Sequence, residues 1–122
     1  MSKKPEKESQ VYFLNTDAYV IQVNEANQDC ESLRNLIHHY SDPSHEVVGS
    51  KLSDICEYYI LLQGYINLLE EIGTLPVVPG EDPSTYDYVL PPEQMLLMKF
   101  YISMCAASEI KLKDHGLSLL IN

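Results

Sequence analysis

Cysteine and histidine are the residues of this chain best suited to bind a metal ion, because thiolates and imidazole nitrogens are the usual zinc ligands. Cys30, His38, His39 and His45 lie within sixteen residues of one another. Zinc sites use close pairs such as Cys-x2-Cys or His-x3-His, and neighbouring helical residues point about 100° apart. The spacing therefore predicts no metal site.

Nucleophilic and acid–base catalysis are the next chemistries to consider. The three cysteines, Cys30, Cys56 and Cys105, fall on apolar stripes, where a free cysteine packs as a small hydrophobic residue. Asp54 and Glu57 have the spacing of a carboxylate pair, but such residues more often solvate a helix face. None of the five glycines belongs to a phosphate-binding loop. We therefore predict a non-enzymatic protein without a cofactor.

Tyrosines and carboxylates are concentrated in a proline-rich segment, residues 74–92. It holds five of the seven prolines, which excludes a helix and predicts a long loop. Long loops often carry binding residues, and tyrosine offers a partner a rigid surface together with a hydroxyl. We expect residues 76–90 to be mobile until a partner orders them. The predicted partner-binding residues are Glu81, Asp82, Tyr86, Asp87 and Tyr88 in this loop, together with Asp54 and Glu57.

The charge of the chain is strongly negative and unevenly distributed. Residues 11–98 hold fourteen acidic residues against Arg34 and Lys51, whereas residues 1–10 and 99–122 each carry a net charge of +1. The whole chain carries −10. Such a field repels nucleic acid and anionic membrane surfaces, because both are bound through lysine and arginine. It favours a basic surface of another protein as the partner, with solubility as the alternative reason for the acidity.

The start of the chain and its cysteines indicate the compartment. Residues 1–10 are charged and precede no apolar segment, which predicts a short disordered tail rather than a signal peptide. Three cysteines without a Cys-x-x-Cys pair indicate reduced thiols. No apolar run reaches the ~18 residues that span a bilayer. We expect a cytoplasmic protein with a single acidic domain, residues 11–122.

β-Rich runs near the two ends of the chain predict strands. Residues 11–14 and 18–23 flank Asn15-Thr16-Asp17, which is typical of an N-terminal hairpin. Residues 117–121 have the same short alternating character and predict a strand-like tail beside that hairpin.

Three helices are predicted between these runs. A narrow apolar stripe marks residues 24–40, a second helix starts at Asp42-Pro43 and is secure over residues 50–72, and a third runs from Pro92 to Gly116. Residues 50–72 carry two neighbouring apolar stripes, which predicts a homodimer through this helix. The predicted fold is α+β and mostly helical, and the alternative is an all-α bundle.

Together these features describe a small acidic binding protein. By size and charge the chain resembles small acidic antagonists, a general class that includes phage anti-defence proteins, DNA mimics and toxin-immunity proteins. That resemblance implies an inhibitor that occupies a basic, nucleic-acid-binding surface of its partner. The alternative is a structural homo-oligomer or a small-molecule-binding protein. In the small-molecule-binding alternative, the pocket would lie between the two long helices and be lined by Tyr59, Tyr65, Met98 and Met104.

Overall fold

A computed structural model describes residues 11–41 and 49–117, where three helices and three short strands form a mixed fold. In chain order the elements are β1 Tyr12–Asn15, α1 Thr16–Tyr40, α2 Gly49–Ile72, β2 Val77–Pro79, β3 Tyr86–Leu90 and α3 Pro92–Asp114. The predicted α+β, mostly helical class is confirmed. The expected disordered tail, the helix start at Asp42-Pro43 and most of the strand-like tail lie outside the described residues.

Local signals explain the helix boundaries. The Asn15 side chain accepts a hydrogen bond from the Ala18 amide at 3.1 Å, which satisfies one of the amides left free at the start of α1. α2 ends at Ile72 as predicted, immediately before Gly73. α3 begins with Pro92, at a position where a helix needs no amide donor.

The predicted N-terminal hairpin is wrong in its second strand, because residues 18–23 belong to α1. Tyr19 and Val23 lie four residues apart and continue the helical stripe toward Ala26 and Cys30, all packed in or against the core. The side-chain cap from Asn15 starts the helix where the sequence suggested a turn. The strand preference of the β-branched residues in this run is therefore outweighed by the core packing that their helical spacing permits.

The proline-rich segment is not an unstructured loop. β2 and β3 form an antiparallel hairpin within it, and β1 pairs antiparallel with β3, so the strand order is β1-β3-β2. Pro79 is tolerated because it ends β2, an edge strand, where a missing amide donor costs no ladder bond. A hairpin is therefore present at residues 77–90, where a loop was predicted, and not at residues 11–23.

α2 is the central helix, and both α1 and α3 pack against it. Ile55, Leu69 and Ile72 are fully buried there, and Leu90 closes the core where the sheet meets the helices. Within one chain, α1, α3 and the sheet therefore cover most of both apolar stripes on α2. The two stripes on residues 50–72 are thus no reason to expect a dimer, contrary to the prediction from the sequence. Dimerisation itself stays a prediction.

Candidate functional site

A concave acidic site lies on the outer face of the sheet, at the β2–β3 hairpin. We call its main residues the hairpin surface: Phe13, Asn15, Glu81, Asp82 and Asp87. The site is an open concavity of about 650 Å³, and Pro79, Gly80 and Thr85 complete its lining. None of these lining residues, all within the described part of the chain, is a lysine or arginine. Its three carboxylates therefore face solvent without a local counter-charge.

Strand pairing brings the hairpin surface together. Phe13 lies opposite Val89 and Asn15 lies opposite Asp87 in the antiparallel β1–β3 ladder. Because side chains two residues apart share a face, these four residues lie on one side of the sheet. Phe13 is 58% exposed, so the site combines an accessible phenyl ring with the carboxylates. The sequence prediction found the acids but missed Phe13 and Asn15.

Hydrogen bonds hold the turn that carries two of the acids. The Asp82 carboxylate accepts hydrogen bonds from the amide and the hydroxyl of Ser84, both at 3.0 Å. These bonds, the amide bond foremost, lower the pKa of Asp82. A Cβ on Gly80 would lie 2.5 Å from the Thr85 hydroxyl, so glycine permits the two sides of the turn to approach closely. The turn therefore presents Asp82 in its charged form at neutral pH.

The predicted binding residues Tyr86 and Tyr88 lie on the opposite face of β3 from Asp87. Tyr88 packs against Tyr19 of α1, with 4.8 Å between the ring centroids and 59° between the planes. The Tyr19 hydroxyl in turn donates to the Leu69 carbonyl at 2.7 Å. Tyr88 thus fastens the sheet to the helices, while Tyr86 is exposed at the rim and its role in binding stays a prediction.

This division of roles predicts different effects of the two tyrosines on stability. Tyr88→Ala should lower the free energy of unfolding by about 2 kcal/mol, because it removes a half-buried ring from the Tyr19 contact. Tyr86→Ala, at an exposed position, should change it by less than about 1 kcal/mol. Urea denaturation followed by circular dichroism measures both variants, and equal losses would contradict the assignment.

Asp54 and Glu57 are separated from the hairpin surface. Asp54 precedes Ile72, the end of α2 beside the sheet, by eighteen residues, or about 27 Å along the helix. Its carboxylate lies 2.9 Å from Nε2 of His115, and Glu57 pairs with the Lys111 ammonium at 3.2 Å. Both acids thus have partners at the end of α3 or just beyond it. The sequence prediction missed these pairings, because it counted the acids of residues 11–98 as lacking nearby positive charges. Their binding to a partner protein stays a prediction.

The four residues proposed to line a pocket between the long helices do not line a common one. Tyr65 borders a groove between α1 and α3, whereas Met104 borders a different groove with Ile60 of α2. Met98 is buried in the core. Tyr59 lies beside Arg34 of α1 and raises the pKa of its guanidinium group. The predicted four-residue pocket is therefore wrong as a geometric arrangement.

The groove that includes Tyr65 is a second acidic site, with a volume of about 180 Å³. Glu25 and Asp29 of α1 line one wall, Glu109 of α3 lines the other, and α2 forms the floor. Glu25 and Asp29 are one helical turn apart, a spacing at which like charges repel. Burial, followed by the charges of Glu109 and Glu25, raises the pKa of Asp29. We call these three carboxylates and the floor beneath them the interhelical groove.

The raised pKa of Asp29 predicts a pH-dependent stability. The folded protein holds the Asp29 proton more tightly than the unfolded chain does. The stability that this protonation contributes is therefore complete below the usual aspartate pKa. It is lost as pH rises through the higher pKa of the folded state. Asp29→Asn removes a charge that burial and the neighbouring charges of Glu109 and Glu25 all disfavour. Thermal melts should therefore show a gain of a few degrees at about pH 7 and none at about pH 3. A loss at neutral pH would contradict the prediction.

Cys30 and Cys105 pack in or against the core as the sequence indicated, whereas Cys56 borders the groove that Ile60 and Met104 line. Cys30 is buried and accepts a hydrogen bond from Nε2 of Gln63 at 2.9 Å. Burial, with Asp29 nearby, raises the pKa of Cys105 to about 11, so that thiol stays protonated at neutral pH. Within residues 11–41 and 49–117, no group of three histidines, cysteines or acids is arranged to hold a metal ion. None of the helices described is both long and apolar enough to cross a bilayer.

Known proteins provide no functional assignment for this chain. It matches no protein-family model, no curated protein and no solved structure. Function must therefore be inferred from the side chains themselves, above all from those of the hairpin surface.

Proposed function

We propose that this protein is a non-enzymatic binding module whose hairpin surface occupies a basic surface of another protein, in the manner of small acidic antagonists. The observation that supports this most is the convergence of three carboxylates around an exposed phenyl ring, with no cation among the residues that line the site. If the basic surface normally binds nucleic acid, its occupation by this protein blocks that binding.

The two kinds of side chain at the hairpin surface have different roles in the proposal. Glu81, Asp82 and Asp87 attract a cationic partner, and a field of this kind raises association rates by ~10–10³. Exposed ion pairs each contribute only about 0–1 kcal/mol, so they do not account for a long-lived complex. Phe13 supplies the apolar contact that slows dissociation, because buried aromatic residues dominate interface energies.

The test of this function is a comparison of two baits in native extract. Wild-type protein and the variant E81Q/D82N/D87N are immobilised, and the proteins that each retains are identified by mass spectrometry. We expect a protein with a basic surface to be retained by the wild type and lost by the variant. If both baits retain the same proteins in the same amounts, the proposed function is wrong.

The apolar surface of α3 supports a second candidate function, a structural homo-oligomer. Leu97, Phe100 and Met104 are exposed at helical spacing along α3, and Met104 shares a groove with Ile60, which is 69% exposed. Contiguous exposed apolar residues of this kind are typical of protein interfaces. They support a dimer contact formed mainly by α3, with Ile60 contributed by α2.

Self-association through α3 has a direct prediction. Light scattering at high micromolar concentration should give about twice the 13.9 kDa chain mass, and Phe100→Glu should return the mass to that of one chain because it buries a charge in the contact. Phe13→Glu is the matched control, since it makes the same exchange on the hairpin surface, and it should leave the dimer intact. A wild-type mass of one chain would exclude this function.

A further inference from the structure

Tyr58 contributes a hydroxyl group to the floor of the interhelical groove. Tyr58, on the floor, is only 3% exposed, yet its hydroxyl makes no hydrogen bond to any residue described in the structure. Tyr58 shares the lining of this groove with Asp29 and Glu109, and burial followed by these charges raises the pKa of its hydroxyl. The neighbouring Tyr65 hydroxyl, in contrast, donates to the Gln22 side chain. No buried side-chain polar atom among the described residues lacks a hydrogen-bond partner, so the unpaired Tyr58 hydroxyl is open to the groove, where a ligand can bond to it.

The charges around this hydroxyl define the ligand as a cation. Glu25, Asp29 and Glu109 converge on the groove, and the eleven residues that line it, all described in the structure, include no lysine, arginine or histidine. Besides the carboxylates and the two tyrosines, Tyr58 and Tyr65, the lining consists of Gln22, Ala26, Leu62, Ile102, Cys105 and Ala106. The groove is therefore an acidic slot with an aromatic and aliphatic floor.

We infer that the interhelical groove binds one arginine side chain of the partner protein. The inference rests on the proposed function, because it assumes that the partner surface is basic. A guanidinium group has five donors in one plane, so it can bond to Asp29 on one wall, Glu109 on the other and the Tyr58 hydroxyl between them. It can also lie against a tyrosine ring, which a lysine ammonium matches less well. A groove of about 180 Å³ has room for one such side chain but not for a strand or helix.

The experiment is an NMR titration of the full chain with three capped tripeptides, Gly-Arg-Gly, Gly-Lys-Gly and Gly-citrulline-Gly. Citrulline has nearly the shape of arginine but no charge. We expect the arginine peptide to shift the amide signals of Asp29 and Glu109 in a saturable way, the lysine peptide to bind more weakly, and the citrulline peptide to leave them unchanged. The peptides need no natural partner, so the result is independent of the bait experiment.

Variants distinguish the groove from general attraction to an acidic protein. D29N/E109Q should weaken binding of the arginine peptide by about tenfold or more, since hydrogen bonds to charged groups are the strong ones. Tyr58→Phe keeps the buried ring and loses only the hydroxyl, so it should weaken binding while the protein stays folded. E31Q/E71Q makes the same change in charge at two exposed acids outside the groove and should leave binding unchanged.

Two results would overturn the inference. One is equal weakening by D29N/E109Q and E31Q/E71Q, which would mean that only the net charge matters. The other is a set of shifts centred on the hairpin surface, which would mean that the groove is not the arginine site although the proposed function stands. Failure of the proposed function itself would be seen in the bait experiment, where the wild type and E81Q/D82N/D87N would retain the same proteins in the same amounts.

Discussion

Leu90→Ala is expected to lower the free energy of unfolding by about 2–5 kcal/mol, the usual range for truncating a buried leucine. Leu90 ends β3, is 0% exposed and belongs to the same core cluster as Leu69 and Ile72 of α2. Alanine would leave a cavity at the junction of sheet and helices, where little can move to fill it. Urea denaturation followed by circular dichroism measures the loss.

A matched control for this prediction lies on the neighbouring strand. Val77→Ala in β2 also shortens an aliphatic side chain of the sheet, but Val77 is 45% exposed, so the change should stay below about 1 kcal/mol. If Leu90→Ala and Val77→Ala cost the same, the sheet is not anchored in the core through Leu90. The hairpin surface would then lack the rigid support that the structure gives it.

E81Q/D82N/D87N is expected to slow association with the basic partner by about tenfold or more, because electrostatic steering contributes ~10–10³ to association rates. Each substitution nearly preserves the shape of the side chain, and Asn at position 82 still accepts the bonds from Ser84. Dissociation should change much less, since exposed ion pairs are individually weak. Binding kinetics measured with the protein identified by the bait experiment test both rates.

Two further variants separate the roles of charge and apolar contact. E31Q/E71Q/D114N removes the same number of charges at exposed positions outside the hairpin surface, and it should slow association less than the hairpin variant. Phe13→Ala should mainly accelerate dissociation, because it removes the apolar anchor without changing the field. If both triple variants slow association equally, the attraction depends on the net charge of the protein and not on the hairpin surface.

The sequence predicted the helices best where strong local signals bounded them. Gly73 after α2 and Pro92 at the start of α3 mark those boundaries in the structure as they did in the sequence. Local composition failed at residues 18–23, whose β-branched and aromatic residues favour a strand. Their spacing, which aligns Tyr19 and Val23 with the core stripe of α1, decided the outcome.

The sheet could not be predicted, because its central pairing is between distant parts of the chain. Prolines in residues 74–92 indicated a loop, although Pro79-Gly80 between two β-rich runs is also compatible with a hairpin. What stabilises that hairpin is β1, which pairs with β3 from the other end of the chain. A lone hairpin is marginal in water, so local sequence gave little reason to expect an ordered one.

The same distinction applies to the candidate site. The clustering of Glu81, Asp82 and Asp87 was visible in the sequence, because it follows from their closeness in the chain. Phe13 joins them only through the β1–β3 register, and no local pattern carries that information. Strand alternation also explains why Tyr88, predicted to bind a partner, packs inward while Asp87 faces solvent.

If the acidity of this protein brings it to a basic partner, the rate of association must depend strongly on salt concentration. The association rate of the wild type with its partner is measured by stopped flow at about 50 mM and about 500 mM salt, where screening lengths differ several-fold. Steering through the hairpin surface predicts that the rate falls by about tenfold or more, with a smaller change in dissociation. An equal association rate at both salt concentrations would contradict the claim and leave solubility as the reason for the acidity.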